Sequence, residues 1–144
     1  MTALSAERDT PRQGPNTDSI HVYPVDAAAV IYKGALVCLD AGYCKPAEAA
    51  TGLIIVGRAE ESVDNTDGDP GDLSVTVRSN ATFKWVNDGG DAVDQTGVGT
   101  LCYALDDQTV TATPDDPAAQ SAAGYVMGVD SDGVWVLTKP YAVE

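Results

Sequence analysis

Residues 33–60, KGALVCLDAGYCKPAEAATGLIIVGRAE, constrain the fold more than any other stretch. Ala35-Leu36-Val37-Cys38-Leu39 is a short apolar run, opened by Gly34 and closed by Asp40-Ala41-Gly42. The closing triplet is turn chemistry, because Gly accepts positive φ and Asp bonds its own backbone. A second run, Leu53-Ile54-Ile55-Val56, sits between Gly52 and Gly57. Short runs of this kind, rich in β-branched residues and bounded by glycine, predict strands buried on both faces.

The same grammar returns later. Gly99-Thr100-Leu101-Cys102-Tyr103-Ala104-Leu105-Asp106 echoes residues 34–40, and Ser121-Ala122-Ala123-Gly124-Tyr125-Val126-Met127-Gly128 echoes residues 49–57. The spacers differ in length. The echo is therefore either a weak internal repeat or a small β domain reusing one strand-and-turn vocabulary.

The rest of the chain reads as further strands. Ile20 and Val22 alternate with His21 and Tyr23 before Pro24, which suggests an edge strand. Residues 26–32 suit one helical turn or another extended piece. Leu73-Ser74-Val75-Thr76-Val77-Arg78 and Thr82-Phe83-Lys84-Trp85-Val86 alternate with period two, as half-buried strands do. Asp91 to Val98 is polar enough for a short helical turn. Residues 101–105 and 109–113 flank Asp106-Asp107-Gln108, and residues 125–129 and 134–137 flank Asp130-Ser131-Asp132-Gly133, so two hairpins are expected. The predicted class is all-β, a small compact barrel or sandwich of about nine short strands. Residues 1–19 lack either period and are rich in turn formers, which predicts a flexible extended N-terminal arm. Residues 20–144 then form a single β-rich domain.

Composition narrows the partners. The formal charge is −14, which repels nucleic acid phosphates and anionic membranes. No apolar stretch approaches the ~18 residues of a membrane-crossing helix. The start, MTALSAERDTPRQGPNTDS, has charges of both signs and no apolar core, unlike a signal peptide. The three cysteines are Cys38, Cys44 and Cys102. An odd count without a signal peptide predicts reduced thiols made in a cytoplasm. Cys38 and Cys102 lie in apolar strand patterns. Cys44 follows a turn and is expected to be more exposed, and a Cys38–Cys44 disulfide is conceivable.

No constellation carries catalysis. His21 is the single histidine, and any Ser-His-Asp or Cys-His arrangement would have to use it. Cys38 and Cys44 have the wrong spacing for a zinc knuckle. Placing Gly68 at the invariant glycine of a calcium loop puts Val63 and Ser74 where acids belong, so the EF-hand pattern fails. The acids between Arg58 and Arg78 read as a solvated loop, with an irregular cation site the alternative. No catalytic, cofactor or metal residue is assigned. Phe83, Trp85 and Trp135 could form a sugar-stacking platform, but alternating aromatics on strands more often fill a core or a subunit interface.

Taken in order, Tyr32-Lys33-Gly34-Ala35-Leu36-Val37, residues 50–59, Gly71-Asp72-Leu73-Ser74-Val75-Thr76-Val77, Phe83-Lys84-Trp85 and residues 122–136 resemble the capsid decoration (cement) proteins of tailed bacteriophages. The resemblance covers most of the chain from about Val22 onward. It implies a structural virion protein without enzymatic activity. Such a protein is made in the bacterial host cytoplasm and sits on the outer capsid surface, where it bridges major capsid protein subunits, most often as a homotrimer. It also implies that the arm meets the capsid, through Thr2, Ala3, Leu4, Arg8, Pro11, Arg12 and Pro15. Phe83, Trp85 and Trp135 then become possible subunit-interface residues. The alternatives from other classes are a carbohydrate- or receptor-binding β module on the phage head, and a hydrolase using surface carboxylates.

Overall fold

The computed structural model describes residues 2–13, 19–114 and 119–139. Among these residues the chain is nearly all β, as the sequence predicts. The strands are β1 (Arg12–Gln13), β2 (Ser19–Pro24), β3 (Val30–Ile31), β4 (Leu36–Asp40), β5 (Tyr43–Pro46), β6 (Ile54–Ala59) and β7 (Val63–Asp64). They continue with β8 (Ser74–Ser79), β9 (Ala81–Asn87), β10 (Leu101–Ala104), β11 (Thr109–Thr111), β12 (Ala122–Asp130) and β13 (Gly133–Thr138). A single 3-10 turn, Gln95–Gly97, lies inside the polar segment expected to hold one. The thirteen strands exceed the nine expected because β1, β3, β5 and β7 are too short or too polar to show a period. Residues 26–32 resolve as a turn, with Ala28 at φ 58°, leading into β3.

The structure contains a duplication; it keeps the Gly34–Gly99 half of the sequence echo and shifts the other half, so that Gly57 corresponds to Gly124 and not to Gly128. The N-terminal lobe has strand order β2-β8-β6-β4-β5, and the C-terminal lobe has β9-β13-β12-β10-β11. Every pairing within those two orders is antiparallel. Each lobe is then closed by a parallel contact. Val25 bridges Cys44 in the first, and in the second Val86 and Asn87 pair with Thr109 and Val110. The amide of Asp26 donates to the Cys44 carbonyl at 2.8 Å, and that of Asp88 to the Val110 carbonyl at 3.0 Å. Gly34 donates to Ala59 and Ala59 to Ala35; Gly99 donates to Val126 and Val126 to Thr100.

The match extends to a bulge. The β4–β6 register shifts at Val37/Cys38, opposite Gly57, and the β10–β12 register shifts at Cys102/Tyr103, opposite Gly124. Both glycines have positive φ, 148° and 153°. A Cβ on Gly57 would lie 2.1 Å from the Arg78 carbonyl oxygen, and one on Gly124 would lie 2.3 Å from that of Leu137. The residue before each glycine gives its carbonyl to a buried hydroxyl. Ser79 Oγ donates to Val56, and Thr138 Oγ1 donates to Ala123. A bulge leaves backbone groups outside the ladder, and the hydroxyl satisfies one of them.

The lobes share a core layer. Val37, Leu39, Cys44, Val56, Ala59, Val75 and Val77 fill the N-terminal lobe. Their counterparts Cys102, Ala104, Val110, Ala123, Val126, Val134 and Val136 fill the C-terminal lobe. The opposite faces of β4 and β6 carry Leu36, Cys38 and Ile55 into the second core. This is why Ala35–Leu39 is buried on both sides, as are Ile55 and Val56 of the second run, whereas Ile54 at its start is 45% exposed. Cys38 and Cys44 therefore point into different cores. All three thiols are free and buried, so Cys44 is not the exposed thiol its turn-side position suggested. Burial pushes the Cys38 and Cys102 thiols up to about 12, and the Cys44 thiol up as well.

Candidate functional site: the seated N-terminal segment

The candidate contact residues fall in two places, the N-terminal segment and the aromatic strands. Residues 2–13 lie along the body instead of standing away from it. The Thr2 carbonyl accepts from Gln108 Nε2 at 2.6 Å, and the Leu4 amide donates to Asp107 Oδ1 at 2.8 Å. The Leu4 side chain packs on the N-terminal core. The Arg8 amide donates to the Lys33 carbonyl at 2.8 Å. Arg8 Nη1 donates to Thr10 Oγ1 at 2.8 Å, and its guanidinium lies 5.5 Å from the centroid of the Trp85 ring.

Thr10 anchors the segment. It is buried, its Oγ1 donates to the Gly34 carbonyl at 2.6 Å, and its own carbonyl accepts from Arg58 Nη1 at 2.9 Å. Gly34, with φ 92°, has to be glycine here, because a Cβ would sit 1.8 Å from the Arg8 carbonyl oxygen. The Pro11 carbonyl accepts from the Lys84 amide at 2.9 Å. Arg12 and Gln13 pair with Phe83 and Thr82, adding β1 to the edge of β9. Pro15 lies outside the described residues, and Ala3 is exposed.

The segment has the polarity of a turn-rich arm, yet it supplies main-chain groups that a sheet edge can pair, and strand addition needs only those. Local periodicity could not reveal this, because a two-residue strand has none. The sequence signals that could have revealed it are Thr10, set between Asp9 and Pro11, and Gly34 ahead of β4.

The electrostatics under the arm oppose each other. Burial pushes the Asp107 carboxyl above its ordinary value; the hydrogen bond from Leu4 opposes this, the neighbouring Asp106 adds to it, and Arg8 opposes it. Burial likewise pulls Arg8 below its ordinary value, with Asp107 opposing. Nearby, Glu60 accepts from Arg58 at 2.7 Å and Arg78 at 2.8 Å. Burial alone would push its carboxyl up, but the two arginines outweigh that and hold it below the ordinary range. Arg58 also lies 4.3 Å from the Phe83 ring centroid, so it joins arm, ion network and aromatic core. A cleft of 70 Å³ lies beside the arm, lined by Arg8, Thr10, Lys33, Gly34, Arg58 and Glu60.

The three aromatics assigned together are separated. Phe83 and Trp85 are 0% exposed and meet edge to face at 6.4 Å between centroids. They are interior, so the interface role expected for both is corrected: strand alternation turns them inward from β9. Trp135 alone is on the outer face, with Lys84 Nζ 5.4 Å above its ring and Nε1 donating to Asp130 at 3.3 Å. Lys84 pairs with Asp130 at 2.9 Å, which holds the carboxyl below its ordinary value and raises the lysine.

In the acidic loop, Asp64 accepts from Thr66 and Asp72 from the Asp69 amide, while Asn65 donates to the Asp26 and Asp69 carbonyls. These carboxylates are engaged with their own loop. Among the described residues, no group of three or more His, Cys, Asp or Glu side chains is placed to hold a metal ion. Comparison with protein-family models, with curated proteins and with solved structures found no match to this chain.

Proposed function

We propose that this chain is a structural, non-catalytic virion protein that decorates the outer surface of a phage capsid and bridges neighbouring major capsid protein subunits. By the resemblance it acts as a homo-oligomer, a trimer, made in the host cytoplasm. The observation that carries the reading is the strand addition at β1. An extended N-terminal segment pairs with a sheet edge through its backbone, with Leu4, Glu7, Arg8 and Thr10 adding side-chain contacts. A capsid sheet edge offers the same main-chain donors and acceptors, so the segment can exchange its own β9 edge for a neighbour's. Many such contacts around a closed oligomer hold tightly through effective concentration, even where each is weak.

The alternative, a carbohydrate- or receptor-binding β module, rests on the aromatic set, and only Trp135 of the three is at the surface. The test is decoration of purified expanded capsids of the cognate phage, read by co-sedimentation and electron cryo-microscopy. Full-length protein is expected to coat the outer shell, and a chain lacking residues 1–13 is expected to fold and stay in the supernatant. Normal coating by the truncated chain would remove the arm from the mechanism. No coating by either would remove the capsid role.

A further inference from the structure

The duplication gives each strand of one lobe a counterpart in the other, and one pair is treated differently. β2 corresponds to β9: Ser19 pairs with Ser79 as Ala81 pairs with Thr138, and His21 and Tyr23 stack at 5.9 Å in the positions of Phe83 and Trp85. In β9 the edge away from β13 is occupied. Lys84 donates to Pro11, and Thr82 lies opposite Gln13. The counterparts of Thr82 and Lys84 in β2 are Ile20 and Val22.

The Val25 amide donates to the Leu73 carbonyl in the same register as the β2–β8 pairing. Hydrogen-bonded pairs alternate along an antiparallel ladder, so Ser19, His21 and Tyr23 bond to β8 while the backbone groups of Ile20 and Val22 face outward. Among the described residues nothing pairs with them. Ile20 and Val22 are 49% and 64% exposed, the latter the highest among the described large hydrophobics. Open edges are ordinarily blunted by lysine, by charge or by a covering segment. β2, SIHVYP, has no charged residue.

We propose that the free edge of β2 is a self-association site, at which a second copy of this chain pairs its own β2 in antiparallel fashion about a two-fold axis through His21. Three observations select a second copy. The chain carries a formal charge of −14, so a contact between identical copies has to avoid acids, and β2 contains none. An isologous contact needs one patch that complements itself, and centring on His21 sets Ile20 against Val22 of the second copy on both sides. Pro24 fixes the register. Centring on Val22 would set Ile20 against Pro24, which has no N–H, whereas centring on His21 uses every outward donor and acceptor of Ile20 and Val22. The proposal goes beyond the capsid role and does not depend on it, since a pairwise contact can link free copies or neighbouring rings alike.

The experiment is sedimentation velocity and light scattering on the full chain over a range of concentrations, with two variants. Val22→Pro deletes an outward N–H and leaves the β2–β8 ladder intact, because Val22 donates away from β8. It is expected to fold as the wild type does by near-ultraviolet circular dichroism and to lose the pairwise association, with a drop of at least about tenfold in association constant. His21→Cys places two thiols across the axis at a non-hydrogen-bonded pair, roughly 4.5 Å between Cα atoms, a spacing a disulfide spans. The native thiols are buried, so mild oxidation is expected to give a crosslinked dimer through residue 21. A wild-type chain that stays monomeric at every concentration overturns the proposal. So does Val22→Pro assembling like the wild type, or His21→Cys giving no crosslink. If Val22→Pro fails to fold, the crosslink and the same sedimentation comparison with Val22→Lys decide.

Discussion

The two lobes share one backbone plan and differ in what they do with its surfaces. Both have the five-strand order, the parallel closure, the glycine bulge and the hydroxyl that caps it. In the C-terminal lobe Phe83 and Trp85 fill the interior, where the N-terminal lobe has the half-buried His21 and Tyr23. On the outer face, Arg58, Glu60 and Arg78 form an ion network where the C-terminal lobe has Tyr125, Met127 and Leu137. The arm covers the edge of β9, and the matching edge of β2 is open. Backbone necessities are thus repeated, while the side chains facing water or a neighbour have diverged. The duplicated part is what closing a small twisted barrel demands. The diverged part is where the lobes meet the arm and other molecules.

The bulge glycines test the sameness of the plan. Gly57→Ala and Gly124→Ala each drive a Cβ toward a backbone carbonyl at positive φ. Each is expected to destabilise by roughly 3 kcal/mol or more, read from urea unfolding midpoints at constant m-value. The prediction is equality. A large loss at one site and little at the other would mean that the bulges are not equivalent.

The interior aromatics test the difference. Phe83→Ala removes a fully buried ring and is expected to cost about 3–5 kcal/mol. His21→Ala, at the matching position, is expected to stay within about 1 kcal/mol. Comparable costs at the two sites would show that the N-terminal lobe depends on its His21–Tyr23 pair as heavily as the C-terminal lobe depends on its rings.

How far the sequence displayed this plan follows from the range of each signal. The glycine-bounded runs and period-two strands were legible, and so were both hairpins, because turn chemistry and alternation are local. The repeat is legible only in part: Gly34 matches Gly99, but the second echo sets Gly52 against Gly124 and Gly57 against Gly128, whereas the bulges pair Gly57 with Gly124. The counterparts β2 and β9 share no residue, only a register against β8 and β13. Residues 2–13 show no period in the sequence because a segment that borrows its hydrogen bonds from a distant strand has none of its own. Its anchors, Thr10 to Gly34 and Leu4 to Asp107, span 24 and 103 residues of chain. Cys44 was misplaced because its burial comes from the closing bridge to Val25, a contact no nearby residue announces.

The smallest expected effects come from two carboxylates of opposite sign, and they separate the ion network from the arm. Glu60 is held below its ordinary value in the folded chain. Its stabilisation is therefore present above the unfolded glutamate value, about 4.3, and is lost as pH falls through the lower folded value. Glu60→Gln is expected to cost about 1–2 kcal/mol at neutral pH and to flatten that acid limb. Asp107 is raised, chiefly by burial, so the folded chain binds its proton more readily than the unfolded chain does. Stability then rises as pH falls through the raised value toward the ordinary aspartate range, and the ionised form is the costly one above it. Asp107→Asn keeps an oxygen to accept the Leu4 amide and removes the buried charge. It is expected to match or slightly exceed wild-type stability at neutral pH, and to slow hydrogen exchange at Leu4. Faster exchange there, with global stability unchanged, would mean that the ionised carboxylate itself holds the arm. Release of the arm would then be coupled to acid, whereas neutral pH is where the burial of Asp107 is expected to loosen it.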